Sequence, residues 1–227
     1  MKVKFLGHAA LLVEAGKFKA LIDPYLSDNP SYVQNEGDIK GITHIFITHS
    51  HKDHVGDSME IAKENNCMVI CNSELSAILS SKNKGVQFSA VQIGRRFAFD
   101  FGTVKMTPAV HPSGYNDNGV MLDSGKPAGF IIELNGKKLY HSGDTFITDE
   151  LKELKDEGID LAFLPIGGHY TMGIDDAVKV VGYIDPKIVV PMHYNTFKLI
   201  QADPKEFKQK LPNKRVEILK STETIEI

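Results

Sequence analysis

Cysteine is scarce in this chain, which has only Cys67 and Cys71 among its 227 residues. Four residues along a strand span about 13 Å, beyond the ~7 Å Cα separation that a disulfide tolerates. In the strand-like stretch Cys67-Met68-Val69-Ile70-Cys71 the two thiols therefore cannot bridge, and we read both as reduced core or near-core groups. No further cysteine is available to build a zinc site with them. Long apolar runs are also missing. None approaches the ~20 residues of a membrane span, and the opening Met1-Lys2-Val3-Lys4-Phe5 runs through Gly7-His8 to Glu14 without a signal-peptide core. The expectation is a soluble cytoplasmic protein without a membrane partner. A Lys/Arg block is absent and the net charge is −3, so nucleic acid is not an expected partner and a small-molecule substrate is. Repeats, low-complexity tracts and linkers are lacking too. With 42% hydrophobic content, 227 residues suffice for one substantial core and are short for two, giving a single domain over 1–227.

What the chain does have is histidine in one place. Of nine histidines, three fall in the six residues His49-Ser50-His51-Lys52-Asp53-His54, directly after the apolar run Ile45-Phe46-Ile47. Imidazole and carboxylate are the donors that borderline divalent ions prefer, and crowding four of them beside a buried strand serves stability poorly. If the chain leaves the strand extended, His49 and His51 point the same way at an i, i+2 interval. Asp53 and His54 then follow the turn toward a second position. One loop can thus serve two metals, although a two-metal site needs more ligands than one loop offers.

Three further positions share the same setting. His111 follows the β-prone stretch Val104 to Val110, Asp144 lies in the turn Ser142-Gly143-Asp144-Thr145, and His193 follows Ile188-Val189-Val190-Pro191-Met192. Each lies just past the end of a predicted strand, where loops of a layered α/β protein converge on one rim. Taken singly, His111 and His193 are equally readable as hydrogen-bonded core or loop histidines.

Periodicity predicts strands near Val3 to Leu6, Ala10 to Glu14, Ala20 to Ile22 and Thr43 to Thr48, with a loop of roughly 20 residues after Asp23 that is either a binding loop or a surface excursion. Helices are expected over Val55 to Glu64, Ser73 to Leu79, Asp149 to Glu157, Asp175 to Tyr183 and Pro204 to Lys210. Further strands fall at Met68 to Ile70, Val86 to Val91, Arg96 to Phe99, Val104 to Val110, Leu161 to Leu164 and Ile188 to Val190. Phe130 to Leu134 and Lys138 to His141 read as a hairpin around Asn135-Gly136. The loop from His111 to Gly119, rich in turn formers, is expected to border a substrate pocket.

In order along the chain, Asp23 in Leu21-Ile22-Asp23-Pro24, the block His49 to His54, His111, Asp144 and His193 resemble the five motifs of the metallo-β-lactamase fold superfamily, over most of the chain. The opening Phe5-Leu6-Gly7-His8-Ala9-Ala10, Leu164-Pro165-Ile166-Gly167-Gly168 with Thr171-Met172-Gly173, and Pro191-Met192-His193-Tyr194-Asn195 are similar to its small single-domain metal-dependent hydrolases related to ascorbate-6-phosphate lactonase. His169 departs from that pattern, which leads one to expect Asp or Asn there.

The resemblance implies an α/β fold, a four-layer αββα sandwich. It also implies two divalent ions, Zn²⁺ first and Mn²⁺, Ni²⁺ or Fe²⁺ compatible with the same donors. His49, His51 and His111 would hold one ion, Asp53, His54 and His193 the other, with Asp144 between them and Asp53 doubling as proton carrier. Asp23 is the candidate partner for a ligand's second ring nitrogen, and also reads as a turn or cap residue before Pro24. His141 would support the Asp144 turn, while His8, His169 and Tyr194 are substrate-pocket candidates. The expected activity is hydrolysis of a small, anionic ester, lactone, amide or phosphodiester. A diiron redox enzyme and a non-catalytic metal-binding scaffold are the alternatives on the same fold; the first uses an acid where His51 stands. The sequence leaves a homo-oligomer open.

Overall fold

A strand turns alternate side chains to opposite faces of its sheet, so strands apolar on both faces must be covered on both. The structure, a computed structural model, describes all 227 residues. Its first half holds strands β1 (Lys2–Gly7), β2 (Ala10–Ala15), β3 (Phe18–Ile22), β4 (His44–Phe46), β5 (Met68–Asn72) and β6 (Gln87–Val91), with helices α1 (Lys52–Val55), α2 (Ser58–Asn65) and α3 (Ser73–Lys82). The second half holds β7 (Arg96–Phe99), β8 (Gly102–Pro108), β9 (Tyr115–Asp117), β10 (Val120–Leu122), β11 (Ala128–Leu134), β12 (Lys137–His141) and β13 (Leu161–Pro165). Helix α4 (Ile174–Ile184), β14 (Ile188–Met192), α5 (Pro204–Gln209), β15 (Arg215–Val216) and β16 (Thr224–Glu226) complete it.

Two seven-stranded sheets result, ordered β16-β1-β2-β3-β4-β5-β6 and β15-β14-β13-β12-β11-β8-β7. Their facing sides share one apolar layer, in which Phe5 packs on Phe163 at a ring separation of 6.3 Å and Phe46 on Phe130 at 5.4 Å. Alternation along the strands supplies two more layers. On β2 Leu11 and Val13 enter the central layer, while Ala10 and Leu12 face outward under α2 and α3. On β13 Leu161 and Phe163 face inward, while Ala162 and Leu164 pack beneath α4 and α5. Three apolar layers between four structural ones make the αββα sandwich expected from the sequence. No helix is long and apolar enough to cross a membrane.

Parallel pairing decides where function can sit. β3 to β6 are mutually parallel, as are β12 to β15. The loops that follow β3, β4, β12 and β14 therefore leave at strand carboxyl ends, where a rigid sheet can present several at once.

Several elements differ from the sequence expectation. The helix expected over Val55 to Glu64 begins earlier, inside the histidine block, and breaks at Gly56, where φ is +43°. A Cβ there would lie 2.3 Å from the Pro24 carbonyl oxygen, so the Asp23-Pro24 turn occupies the space a continuous helix needs. Asp149–Glu157 is a 3₁₀ helix. Its buried residues, Leu151 and Leu154, are three apart, the spacing that three residues per turn stacks on one side. The loop from His111 to Gly119 contains β9 and runs into β10 through Asn118-Gly119, with φ of +51° and +91°, a two-residue hairpin turn.

Both cysteines are buried, at 4% exposure for Cys67 and 0% for Cys71, and burial pushes the thiols up to about 11 and about 12. At pH 8 the native protein should therefore leave a disulfide reagent such as DTNB unreacted, and release two equivalents of thiol once denatured; fast labelling of the native state would contradict this packing.

Candidate metal centre

The strand ends bring together residues that are far apart in sequence. The first sheet contributes His8 after β1, Asp23 after β3 and the block from His49 to His54 after β4; the second contributes His111 after β8, Asp144 after β12 and His193 after β14. The two sheets meet closely here. Gly143 has φ of +61°, and a Cβ on it would lie 2.5 Å from the Ala128 carbonyl oxygen and 2.9 Å from Thr48 Cβ, so the turn that carries Asp144 tolerates only glycine. Phe146 N–H donates to the Val110 carbonyl at 2.9 Å and Val110 N–H to Thr145 Oγ1 at 3.0 Å, binding the His111 and Asp144 loops together.

One donor group is made of three imidazoles. His49 Nε2 lies 3.0 Å from His51 Nδ1, which lies 3.2 Å from His111 Nε2. Two ligand atoms bound to one tetrahedral zinc at 2.0–2.1 Å sit about 3.3 Å apart, so the spacing suits a common ion. Burial lowers the pKa of His49 and His51 and takes His111 down to about 4, leaving all three neutral, the form that coordinates.

The other group faces Asp144. Its Oδ1 is 3.3 Å from His54 Nε2, and its Oδ2 is 3.1 Å from His193 Nε2 and 3.6 Å from His111 Nε2. Asp53 Oδ2 lies 3.8 Å from His193 Nε2. Burial opposes charge on His54 and His193, yet Asp144, joined by Asp23 at His54, outweighs it: His54 is raised well above an ordinary imidazole and His193 to about 9. Burial likewise works against an ionised Asp144, and the charges of His193 and His54 overcome it and hold its carboxyl well below the usual range. This corner favours a cation, and a divalent ion would displace the protons. His54 Nε2, His193 Nε2 and Asp144 Oδ1 are buried without a hydrogen-bond partner. Orphaned polar atoms at one point are what a metal's ligands look like from the protein side.

Supporting residues fix these donors. Asp23 is fully buried and accepts from Thr48 N–H at 2.8 Å, Thr48 Oγ1 at 2.7 Å and His54 Nδ1 at 2.7 Å. Its contact places the His54 proton on Nδ1 and frees Nε2 to coordinate. His141 donates from Nε2 to the Ala9 carbonyl at 2.8 Å and accepts at Nδ1 from Gly143 N–H at 3.0 Å, bracing the Asp144 turn. Ser50, within the histidine block, accepts from Ser124 Oγ at 2.7 Å and Gly114 N–H at 3.2 Å, which ties that block to the β9–β10 hairpin. His8, Asp23, His169 and His193 all adopt left-handed backbone, with φ of +58°, +45°, +54° and +52°.

A cleft of about 440 Å³ opens onto both donor groups, and His51, Asp53, His111, Asp144 and His193 reach its wall. Of the three substrate-pocket candidates only His169 lines it. His8 is buried beneath Asp53, and burial, with the charge of His193, takes its pKa to about 4. Tyr194 is partly buried and packs against the apolar layer under α4. Of the apolar walls, Pro112 belongs to the His111 to Gly119 loop expected to border the pocket, whereas Phe146, Tyr170 and Phe197 were not anticipated from the sequence. Their only signal was proximity to Asp144, His169 and His193.

A family model described as the beta-lactamase superfamily domain matches residues 19–194. The chain belongs to the beta-lactamase superfamily. It is 49% identical over 220 residues to a UPF0173 metal-dependent hydrolase of Alkaliphilus metalliredigens, covering 96% of each protein. It is 42% identical over 228 residues to another from Bacillus cereus, covering 99% of each. Among solved structures it is similar to Igni18, a metallo hydrolase from the hyperthermophilic archaeon Ignicoccus hospitalis, with a TM-score of 0.89, 35% identity, and 100% of this chain and 98% of the other covered. Membership puts the chain among the metal-dependent hydrolases of the superfamily.

A member of this superfamily with such a donor set should be stabilised by its ion. At a hundredfold excess over Kd one site contributes about 2.7 kcal/mol, which at 2–4 °C per kcal/mol raises Tm by roughly 5–11 °C. Chelator-treated protein scanned with and without Zn²⁺ should show that rise, and equal Tm values would count against the centre.

Proposed function

We propose that the chain is a hydrolase that works with two divalent ions, Zn²⁺ first among them, on a small anionic ester, lactone, amide or phosphodiester. One ion would be held by His49, His51 and His111, the other by Asp53, His54 and His193, with Asp144 shared. The position of Asp144 carries this reading: one carboxylate oxygen lies toward His54 and the other toward His193 and His111, so it touches both groups. Bound there, the ions would supply a water acidified toward neutrality as nucleophile and would polarise the bond under attack.

The chain's own residues account for the rest. Asp53 reaches the cleft and is held ionised by His193 and His8 against the opposing effect of burial. A carboxylate is the form that takes a proton from the attacking water, and its place in the cleft wall lets it return that proton to the leaving group. Pro112, Phe146, Tyr170 and Phe197 offer apolar surface for the substrate body and exclude water beside the reacting bond. Past Tyr170 and Phe197 the cleft continues into a second hollow of about 560 Å³ flanked by Lys52 and Lys198. Lys52 is paired with Asp28 at 2.7 Å and Lys198 makes no ion pair, so Lys198 is the free cation for an anionic substituent. The open cleft also supports catalysis over a purely structural metal site, in which protein closes every position.

His49→Ala and Asp144→Ala should each lose bound metal and hydrolytic turnover, measured by elemental analysis and by a panel of ester, lactone and phosphodiester substrates on protein reconstituted with Zn²⁺, Mn²⁺, Ni²⁺ or Fe²⁺. Full turnover in metal-free protein would refute the proposal.

A further inference from the structure

His8 has a ring nitrogen within 4.8 Å of donor atoms of Asp53, His54 and His193, yet it is assigned to neither ion above, and it touches two of the three. Its Nε2 lies 3.1 Å from Asp53 Oδ2 and its Nδ1 lies 3.0 Å from Thr196 Oγ1. A carboxylate only accepts, so Nε2 carries the proton and donates to Asp53, and Nδ1 accepts from the Thr196 hydroxyl. With both ring nitrogens engaged, His8 has no lone pair left for a metal. This distinguishes it from His54 and His193, whose Nε2 atoms have no hydrogen-bond partner. The backbone adds a second tie, because the His8 carbonyl accepts from His193 N–H at 2.7 Å. A third is packing: the His8 and His193 rings lie 4.0 Å apart between centroids.

We propose that His8, locked in place by Thr196, is the positioning residue that holds Asp53 and His193 in coordinating geometry and thereby sets how tightly the second ion is retained, independently of the first. The inference rests on the two-ion reading above. Asp53 sits in the one-turn helix α1 and its side chain is 25% exposed, so its carboxylate needs an anchor that the fully buried His54 already has in Asp23. Asp53 Oδ2, which accepts the His8 proton, is also the oxygen 3.8 Å from His193 Nε2, so His8 aims it at the second ion's donors while its other lone pair stays free to coordinate. No contact of His8 reaches His49, His51 or His111; His49 is held by Thr48 Oγ1 at 3.0 Å and His111 lies on the other sheet. Thr196 follows His193 by three residues, so the loop that delivers one ligand also carries the lock for the residue that orients the other.

Metal content and stepwise affinity of the purified protein, measured by chelator competition with Zn²⁺ and by the visible spectrum with Co²⁺, test this. Wild type should bind two equivalents. His8→Ala should keep the first affinity and weaken the second about 10–100-fold, the usual effect of removing a ligand's outer partner. Thr196→Val should weaken the second ion in the same direction, and it decides the matter if His8→Ala fails to fold. His8→Gln, which returns an N–H donor near Nε2, should recover most of the loss; a residue acting as a direct ligand would not be rescued this way. Unchanged affinity for both ions in folded His8→Ala or Thr196→Val, or an equal loss of both, overturns the inference. A wild-type protein that binds one equivalent overturns the two-ion reading itself, and this inference with it.

Discussion

The Asp23 carboxylate is the contact on which the rest of the centre depends. It lies fully buried at the end of β3, where an unpaired negative charge would be costly, and it meets that cost with three donors from the next loop: the Thr48 amide, the Thr48 hydroxyl and the His54 ring. Those bonds fix the first turn after β4, and with it the direction in which His49, His51 and Asp53 leave the strand. Removing the charge would release the His54 tautomer and the shape of the whole histidine block together.

The second constraint is that the site is shared between sheets. The His49 to His54 block belongs to the first and His111, Asp144 and His193 to the second, so neither half carries a complete donor group around Asp144. Their relative position is set by the central apolar layer, through contacts such as Phe5 on Phe163 and Phe46 on Phe130. A change in that layer would reach the residues proposed as metal ligands without touching them, since close-packed interiors transmit small shifts.

Much of this was legible in the sequence because it depends on period and order. Alternating apolar residues announced most strands, and the histidines and acids just past strand ends are the ones the fold brings together. What escaped depended on details that period does not carry. Asn118-Gly119 is the same dipeptide as Asn135-Gly136, but the strands it joins are three residues each and too short to show alternation. The 3₁₀ form of Asp149–Glu157 leaves no distinct mark, because its two buried leucines are three residues apart, a spacing that an α-helix also accepts. Phe146, Tyr170 and Phe197 look in sequence like any core aromatic, and only their exposure to the cleft marks them as walls. His8 was expected to line the substrate pocket and lies instead buried beneath Asp53, because a strand-end residue can turn toward solvent or toward the protein.

The left-handed backbone at His8, Asp23, His169 and His193 bears on how this protein can change over evolutionary time. A non-glycine residue held there stores roughly 1–2 kcal/mol of conformational energy that a glycine would release. At these four positions backbone strain alone would favour the residue with no side chain; at Asp23 and His8 the side chain's own buried hydrogen bonds offset part of it, while at His169 and His193 selection for chemistry keeps the imidazole. The rim is therefore where improved stability and retained activity pull apart, and a lineage that no longer needed the reaction would be expected to lose these side chains early.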